Sequence, residues 1–595
     1  MCSLKGKQGM NLLRFCAAGV GVLLLSSQAL AADCHLKDFG TLPVEMVDGQ
    51  PITMVSINGV DTHFMIDTGA SLNTMSRANA LSLGLKPQGL EGDVRMTGVG
   101  GDARVQLARV KKFGILGMTL NNVDFMVGGS DTGYGLIGAN LLYVADLEID
   151  LGHGKVTLFR PDGCTKAPLA YWSKGGNYNV VDLERSSDES TDNEAVLSVT
   201  INGKQLRALI DSGASMSLLS RDAAKTIGVD LHGPDAKPGE ISSGIGSKAV
   251  KSWTVAVDSF SMGGETIRHA QLNVIDGMLG SHDINMLLGA DFLLAHRVYI
   301  ARSQHKVYFT YSGGPIFAMS TGGSDQGMAG SGAGAPLQNA ADYALRGEAF
   351  LSRGDPGGAI ADLDEAIRLV PDRSAYFLAR ARAYVAKNEL DAASADLDKS
   401  VGLDSNSVDA LLLRASVRLT HKDKAGAMAD VNAANALTPA GSPNANDIAS
   451  LYLALDQPDS ALPLLDAWIR VHSDDVMLGS ALNARCWARS LNNQSLDDAL
   501  SDCRKAIKRD GEIPAYLESL GMVQLRLGKY SESISTYETA LAQGSQSAWS
   551  HYGLGLAKIR NGQKDAGTAD LAAARAINPN IDAQAAKFGL TAAGM

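Results

Sequence analysis

Positive charge is short in this chain of 595 residues, where 53 Lys and Arg stand against 64 Asp and Glu for a formal net charge of −11. Nucleic acid and anionic lipid both demand a basic surface, so neither is expected as the main partner. Peptides, proteins and small molecules remain. The histidines are scattered, with no H-E-x-x-H pattern and no Cys/His cluster at ligand spacing, so neither a metal nor a cofactor is expected. Neither G-x-S-x-G nor a phosphate-cradling loop occurs, which removes the sequence marks of serine hydrolases and nucleotide hydrolases. Gly133, Gly135 and Gly138 do spell G-x-G-x-x-G, but no strand in a βαβ unit precedes them, as a nucleotide fingerprint requires.

Long apolar runs are absent as well. The run Phe15 to Leu25 is too short to span a bilayer comfortably. With Lys5, Lys7 and Arg14 before it and Ala29-Leu30-Ala31 after it, residues 1–31 read as a secretory signal peptide cleaved after Ala31, with an uncleaved anchor as the alternative. Export across an inner membrane, to the periplasm of a Gram-negative bacterium, is the expected destination, with no membrane span left after cleavage. Of the six cysteines, Cys34, Cys164, Cys486 and Cys503 would remain. An even number in an exported chain fits two disulfides, Cys34 to Cys164 and Cys486 to Cys503; two free surface thiols are the alternative for the first pair.

Residues 40 to 312 carry short Val, Ile, Leu and Phe runs broken by Gly, Asn and Asp, an all-β pattern in two tandem units, 40–163 and 176–312. Ile52 to Ile57 before Asn58-Gly59 and Val196 to Ile201 before Asn202-Gly203 read as matching hairpins. After each comes an acidic turn: Phe64-Met65-Ile66-Asp67-Thr68-Gly69-Ala70-Ser71 and, 144 positions on, Ala208-Leu209-Ile210-Asp211-Ser212-Gly213-Ala214-Ser215. The duplication continues in Thr97-Gly98-Val99-Gly100-Gly101 against Ser243-Gly244-Ile245-Gly246-Ser247, and in Leu136-Ile137-Gly138 against Leu287-Leu288-Gly289. A third Asp-Thr-Gly, at 131–133, follows Gly128-Gly129-Ser130 rather than a buried strand and reads as a loop.

Residues 313–338 are Gly- and Ser-rich, the composition of a flexible linker. From 340 to 595 the chain repeats every 34 residues: Gly347, Ala381 and Ala415 are one period apart, as are Ala359, Ala393 and Ala427. The period resembles tetratricopeptide repeats, which implies an all-α solenoid of stacked helix pairs with a concave surface suited to a protein partner. Seven units fit, starting near 340, 374, 408, 442, 476, 514 and 548, with a capping helix from Ile581. A four-residue excess between Ala461 and Ala499 is placed in the turn near Asn492-Asn493. In this repeat type Cys486 then lies on a first helix facing Cys503 on the second.

The doubled Asp-Thr/Ser-Gly turn, each followed by two apolar residues and Gly, resembles aspartic proteases of the pepsin and retropepsin clan. The resemblance covers residues 40 to 312 and implies a bilobal all-β domain in which Asp67 and Asp211 form a catalytic pair sharing one proton. It further implies that Thr68 and Ser212 bond across a pseudo-twofold axis, that Gly69 and Gly213 allow the tight turns, and that Gly98, Gly100, Gly244 and Gly246 sit in flap hairpins over the cleft. Ala70 and Ala214 stand where pepsins carry a hydroxyl that favours the ionised Asp, so a working pH nearer neutral than pepsin's is expected. The reading is an exported aspartic endopeptidase acting on protein or peptide substrates. The alternative is a catalytically silent peptide-binding β domain on a scaffold of repeats. Pairing of the two units within one chain is simpler than pairing between chains.

Overall fold

A computed structural model describes residues 34–591, apart from 48, 185–193, 235, 240–243, 247, 280–282, 314–315, 318–338, 353 and 545. The segment read as a signal peptide lies outside the described residues, as does most of the segment read as a linker. Residues 35–311 are strands with a few short helices, and residues 340–587 are helices.

Each β unit is built outward from its hairpin. Asn58 and Gly59 have φ of 54° and 90°, Asn202 and Gly203 of 49° and 74°. Two successive left-handed residues make the turn whose twist matches the flanking strands, so Ile57 pairs with Val60 and Ile201 with Lys204. The return strands, Val60–Ile66 and Lys204–Ile210, change from solvent-facing to wholly buried over their last three residues. There each inserts beside a parallel partner, Gly135–Ile137 or Met286–Leu288. Eight strands form the first sheet and seven the second. Edge-on Phe64, Phe113 and Phe125 fill the first core. Phe260, Phe292 and Phe309 fill the second. Phe317 joins them, its ring centroid 5.0 Å from that of Phe260, and Ile316 is buried too. The second unit therefore reaches past 312, because burying these two large side chains outweighs the Gly-rich composition around them.

A six-stranded antiparallel sheet joins the units, in the order His35–Pro43, Lys155–Asp162, Asp146–Asp150, His296–Ala301, Lys306–Tyr311, Asn179–Asp182. Leu147 opposite Ile300 and Ile149 opposite Val298 carry the junction. The two units of one chain thus pair with each other. A Cys34–Cys164 disulfide ties the outermost strand to its neighbour.

In the C-terminal region the described residues form seven helix pairs and a last helix, Ile581–Lys587. Ala359, Ala393, Ala427, Ala461 and Ala499 are fully buried, which lets paired helices approach closely. A second period runs beside the alanines. Arg380 bonds Asp396 in its own repeat and Asp364 in the one before; Arg414 does the same with Asp430 and Asp398, and Arg485 with Asp502 and Asp466. The inner carboxylates, Asp396, Asp430 and Asp502, are buried and need the bidentate guanidinium to stay so. Cys486 on Leu478–Leu491 and Cys503 on Leu496–Asp510 form a buried disulfide.

The four-residue excess is not in one turn. The turn 492–495 has one residue more than its counterpart 387–389, the helix Leu478–Leu491 has 14 residues against 13 in Ser374–Ala386, and the turn 472–477 has six where 370–373 has four. The solenoid rests on the first β unit through its first helix, Ala340–Ser352, which packs on Glu45–Val47 and on the turn Leu151–His153.

Candidate active site

Asp67 and Asp211 each sit one residue beyond a buried strand. The parallel partner strand fixes the turn: the Asp67 N–H donates to Ile137 O and the Asp211 N–H to Leu288 O, both at 3.0 Å. Ala139 and Ala290 then donate to Ala70 O and Ala214 O at 2.8 Å. The Gly after each apolar pair is required by close approach, since a Cβ on Gly138 or Gly289 would strike the main chain of Leu72 or Met216.

Thr68 and Ser212 clasp the two turns together. Thr68 Oγ1 donates to Ile210 O at 2.8 Å and accepts from Ser212 N at 3.0 Å. Ser212 Oγ donates to Ile66 O at 2.7 Å and accepts from Thr68 N at 3.1 Å. Both side chains have no exposed surface, and every polar atom of the clasp is satisfied.

The clasp brings the carboxyl groups within hydrogen-bonding reach of each other. Gly69 and Gly213 have ordinary φ, so the turn path does not demand glycine; a Cβ at either would run into the opposing carboxyl, Asp211 or Asp67. Asp67 Oδ1 accepts from the Gly69 and Ala70 N–H groups at 2.9 and 2.8 Å, and Asp211 Oδ1 from Gly213 and Ala214 at 3.0 and 3.1 Å. Burial pushes both acids up from the ordinary carboxylate value. Asp211 is pushed further, because the negative charge of Asp67 adds to its desolvation. One proton held between two carboxyls is the arrangement this field favours.

Beneath the pair lies a residue that the sequence reading missed. The Tyr143 hydroxyl is buried close to Thr68, held up from its ordinary pKa by desolvation, and the Arg302 guanidinium stacks 5.0 Å from its ring. Leu294 occupies the matching place in the second unit, so comparison of the two halves hid it.

Over the cleft, Arg95–Gly98 and Gly101–Arg104 form a hairpin with Val99 and Gly100 at its tip. At the second tip, Lys237–Pro238 pairs antiparallel with Trp253 and Thr254, and among the described residues the stretch 244–249 contains no strand. The two tips meet: the Gly246 N–H donates to Val99 O at 3.0 Å and the Lys248 N–H to Gly100 O at 3.2 Å. Gly246 is glycine because its Cβ would overlap the Gly100 main chain. Val99 packs beside Ala214 and the apolar wall of the second unit, and Ile245 against Met65 and Leu136 of the first. The third Asp-Thr-Gly, 131–133, lies in a loop, separated from the preceding strand Met118–Val127 by Gly128-Gly129-Ser130. No group of three or more His, Cys, Asp or Glu among the described residues could hold a metal, and no helix among them is long and apolar enough to cross a membrane.

The aspartyl protease family model matches residues 53–141 and again 197–292, once per β unit. The tetratricopeptide repeat model matches 344–408, 378–442, 489–548 and 518–581. No curated protein matches the chain. A tetratricopeptide repeat protein from Parabacteroides merdae is similar over 42% of this chain and 98% of its own length, at 16% identity and a TM-score of 0.33. The TPR2B domain of yeast Sti1, solved in complex with pHsp70, is similar over 20% of this chain and 96% of its own, at 25% identity and a TM-score of 0.19. The chain therefore carries a duplicated, pepsin/retropepsin-like aspartyl protease unit in its N-terminal region and a run of tetratricopeptide repeats in its C-terminal region.

Proposed function

We propose that this protein is an exported aspartic endopeptidase: Asp67 and Asp211 activate a water to hydrolyse peptide bonds, and the repeats recruit a protein substrate or partner. The observation that carries the reading is the meeting of the two carboxyls across the Thr68–Ser212 clasp. The anionic member takes a proton from the water as its oxygen attacks the scissile carbonyl carbon. The protonated member donates to the carbonyl oxygen, and burial of both acids keeps one proton on the pair. Collapse of the resulting diol returns one proton to the leaving amine, so no covalent intermediate forms.

Oδ1 of each Asp accepts from backbone N–H groups, and burial favours the protonated form, so cleavage is expected to peak above about pH 4, the unperturbed Asp range. Export is supported by the N-terminal pattern Lys5, Lys7, Arg14 followed by Phe15 to Leu25, and by two disulfides, which persist in oxidising compartments. Protein recruitment is supported by the repeat family, whose stacked helix pairs form concave binding surfaces.

The test compares the full chain with Asp67→Asn on a casein-like protein and a peptide library. Loss of cleavage with partner binding retained supports the proposal. Cleavage unchanged in the variant removes the enzyme reading and leaves the peptide-binding scaffold.

A further inference from the structure

The loop 128–133 stands between the second flap tip and the solenoid. On its flap side, the Ser130 N–H donates to Ile245 O at 3.2 Å and Ser130 Oγ donates to Gly246 O at 2.8 Å. Gly129 lies so near Ile245 that a Cβ would strike its carbonyl. On its solenoid side, the Val476 N–H donates to the same Ser130 Oγ at 3.0 Å. One hydroxyl thus gives its proton to the flap and accepts one from the repeats, a double task that no apolar side chain can perform.

A second set of bonds fixes the solenoid side. His472 Nε2 lies 2.8 Å from Asp131 Oδ2, and both side chains are buried, 1% and 2% exposed. The imidazole is held in place by its Nδ1, 2.8 Å from Trp468 O, and by stacking on the Trp468 ring with centroids 4.1 Å apart. Asp475 caps the loop in return: its Oδ2 accepts from the Asp131 N–H at 2.6 Å and its Oδ1 from the Met477 N–H at 2.7 Å. His472, Asp475, Val476 and Met477 belong to the six-residue turn 472–477, the longer of the two turns that carry the repeat excess.

We propose that this turn of the solenoid is a latch on the flaps: through Ser130 and Asp131 it holds the two tips together over the Asp67–Asp211 pair, so that the repeat domain sets how readily the cleft opens. The bonded path runs from Val476 through Ser130 to Gly246, with His472 holding the adjacent Asp131, and from Gly246 and Lys248 to Val99 and Gly100. Ser130, Asp131 and His472 are positioning residues; none of them belongs to the carboxyl pair. A partner that bends the repeats at 472–477 would bias the same open–closed equilibrium, which is a coupling between two sites through one two-state element. Its consequence for turnover rests on the peptidase reading; its structural content does not.

The test uses the full chain with His472→Leu, Ser130→Ala and His472→Gln. Hydrogen exchange is followed over residues 95–104 and 244–250. With the latch broken by His472→Leu or Ser130→Ala, exchange of these amides is expected to quicken about five- to tenfold, the factor for losing one net hydrogen bond, while the strands Val60–Ile66 and Lys204–Ile210 exchange as before. The Gln amide keeps a donor near the place of Nε2, so His472→Gln is expected to stay within about twofold of wild type on the same scale. For cleavage, a larger openable fraction is expected to lower KM about fivefold with kcat unchanged. Should His472→Leu fail to fold, Ser130→Ala decides, since it removes a single hydroxyl. Flap exchange unchanged in Ser130→Ala, or His472→Gln as fast as His472→Leu, overturns the latch. Absence of cleavage by wild type overturns the peptidase reading instead and leaves the exchange result standing.

Discussion

Gly69 and Gly213 face the opposing acids so closely that a single methyl group cannot be placed there without moving a carboxyl. Gly69→Ala is therefore expected to separate the pair and reduce kcat by at least about a hundredfold, the usual scale for losing positioned acid/base action. The clash itself costs about 1–3 kcal/mol of stability, measurable by denaturant unfolding. Asp67 and Asp211 also set a pH dependence of stability. Both have folded values raised above the unfolded one, so protonation stabilises the folded state. That contribution is fully present below the unfolded carboxylate pKa of about 3.9 and is lost as pH rises through the folded values, where the unfolded chain has already released its protons. Asp67→Asn removes the titration at one site. Its stability relative to wild type should rise from pH 4 toward neutral pH, read from melting curves across that interval. A difference that is flat with pH would mean that the carboxyls do not share a buried field.

The strands and helices differ in how far the sequence revealed them. The Asn-Gly turns, the apolar strands running into Asp67 and Asp211, and the apolar-apolar-Gly segments are local patterns, and the all-β region followed by a helical solenoid was legible from them. The 34-residue spacing of small residues announced the helix pairs for the same reason. The six-stranded sheet was not legible, because pairing Leu147 with Ile300 joins residues far apart in the chain with no turn to signal it. Tyr143 was hidden by Leu294 at its counterpart, and the burial of Ile316 and Phe317 by the glycines beside them. The Arg–Asp ladder repeats at the period of the alanines, so it could have been found from Arg380, Arg414, Asp396 and Asp430 had charge been searched for that period. The Cys486–Cys503 bond stabilises its repeat. It closes a short loop, with a sequence separation of 17 residues, between two helices of one repeat. Cys503→Ala should lower the stability of the repeat region by about 3 kcal/mol, as judged by unfolding of the oxidised proteins.

Among the described residues, the repeats touch the β units through the first helix of the solenoid and through the turn 472–477, while the shared sheet and the Thr68–Ser212 clasp make one cleft from two halves of a single chain. Such an arrangement needs no second copy to complete the carboxyl pair, and an active species in size-exclusion chromatography should elute as a monomer. The central claim is that Asp67 and Asp211 act as one unit on a water, and it is tested most directly by kcat for a cleaved peptide in wild type, Asp67→Asn, Asp211→Asn and the double variant. Residues acting as a unit are strongly non-additive, so each single variant should lose about as much as the double, at least about a hundredfold. A single variant that keeps the wild-type rate, or losses that multiply in the double variant, would contradict the account.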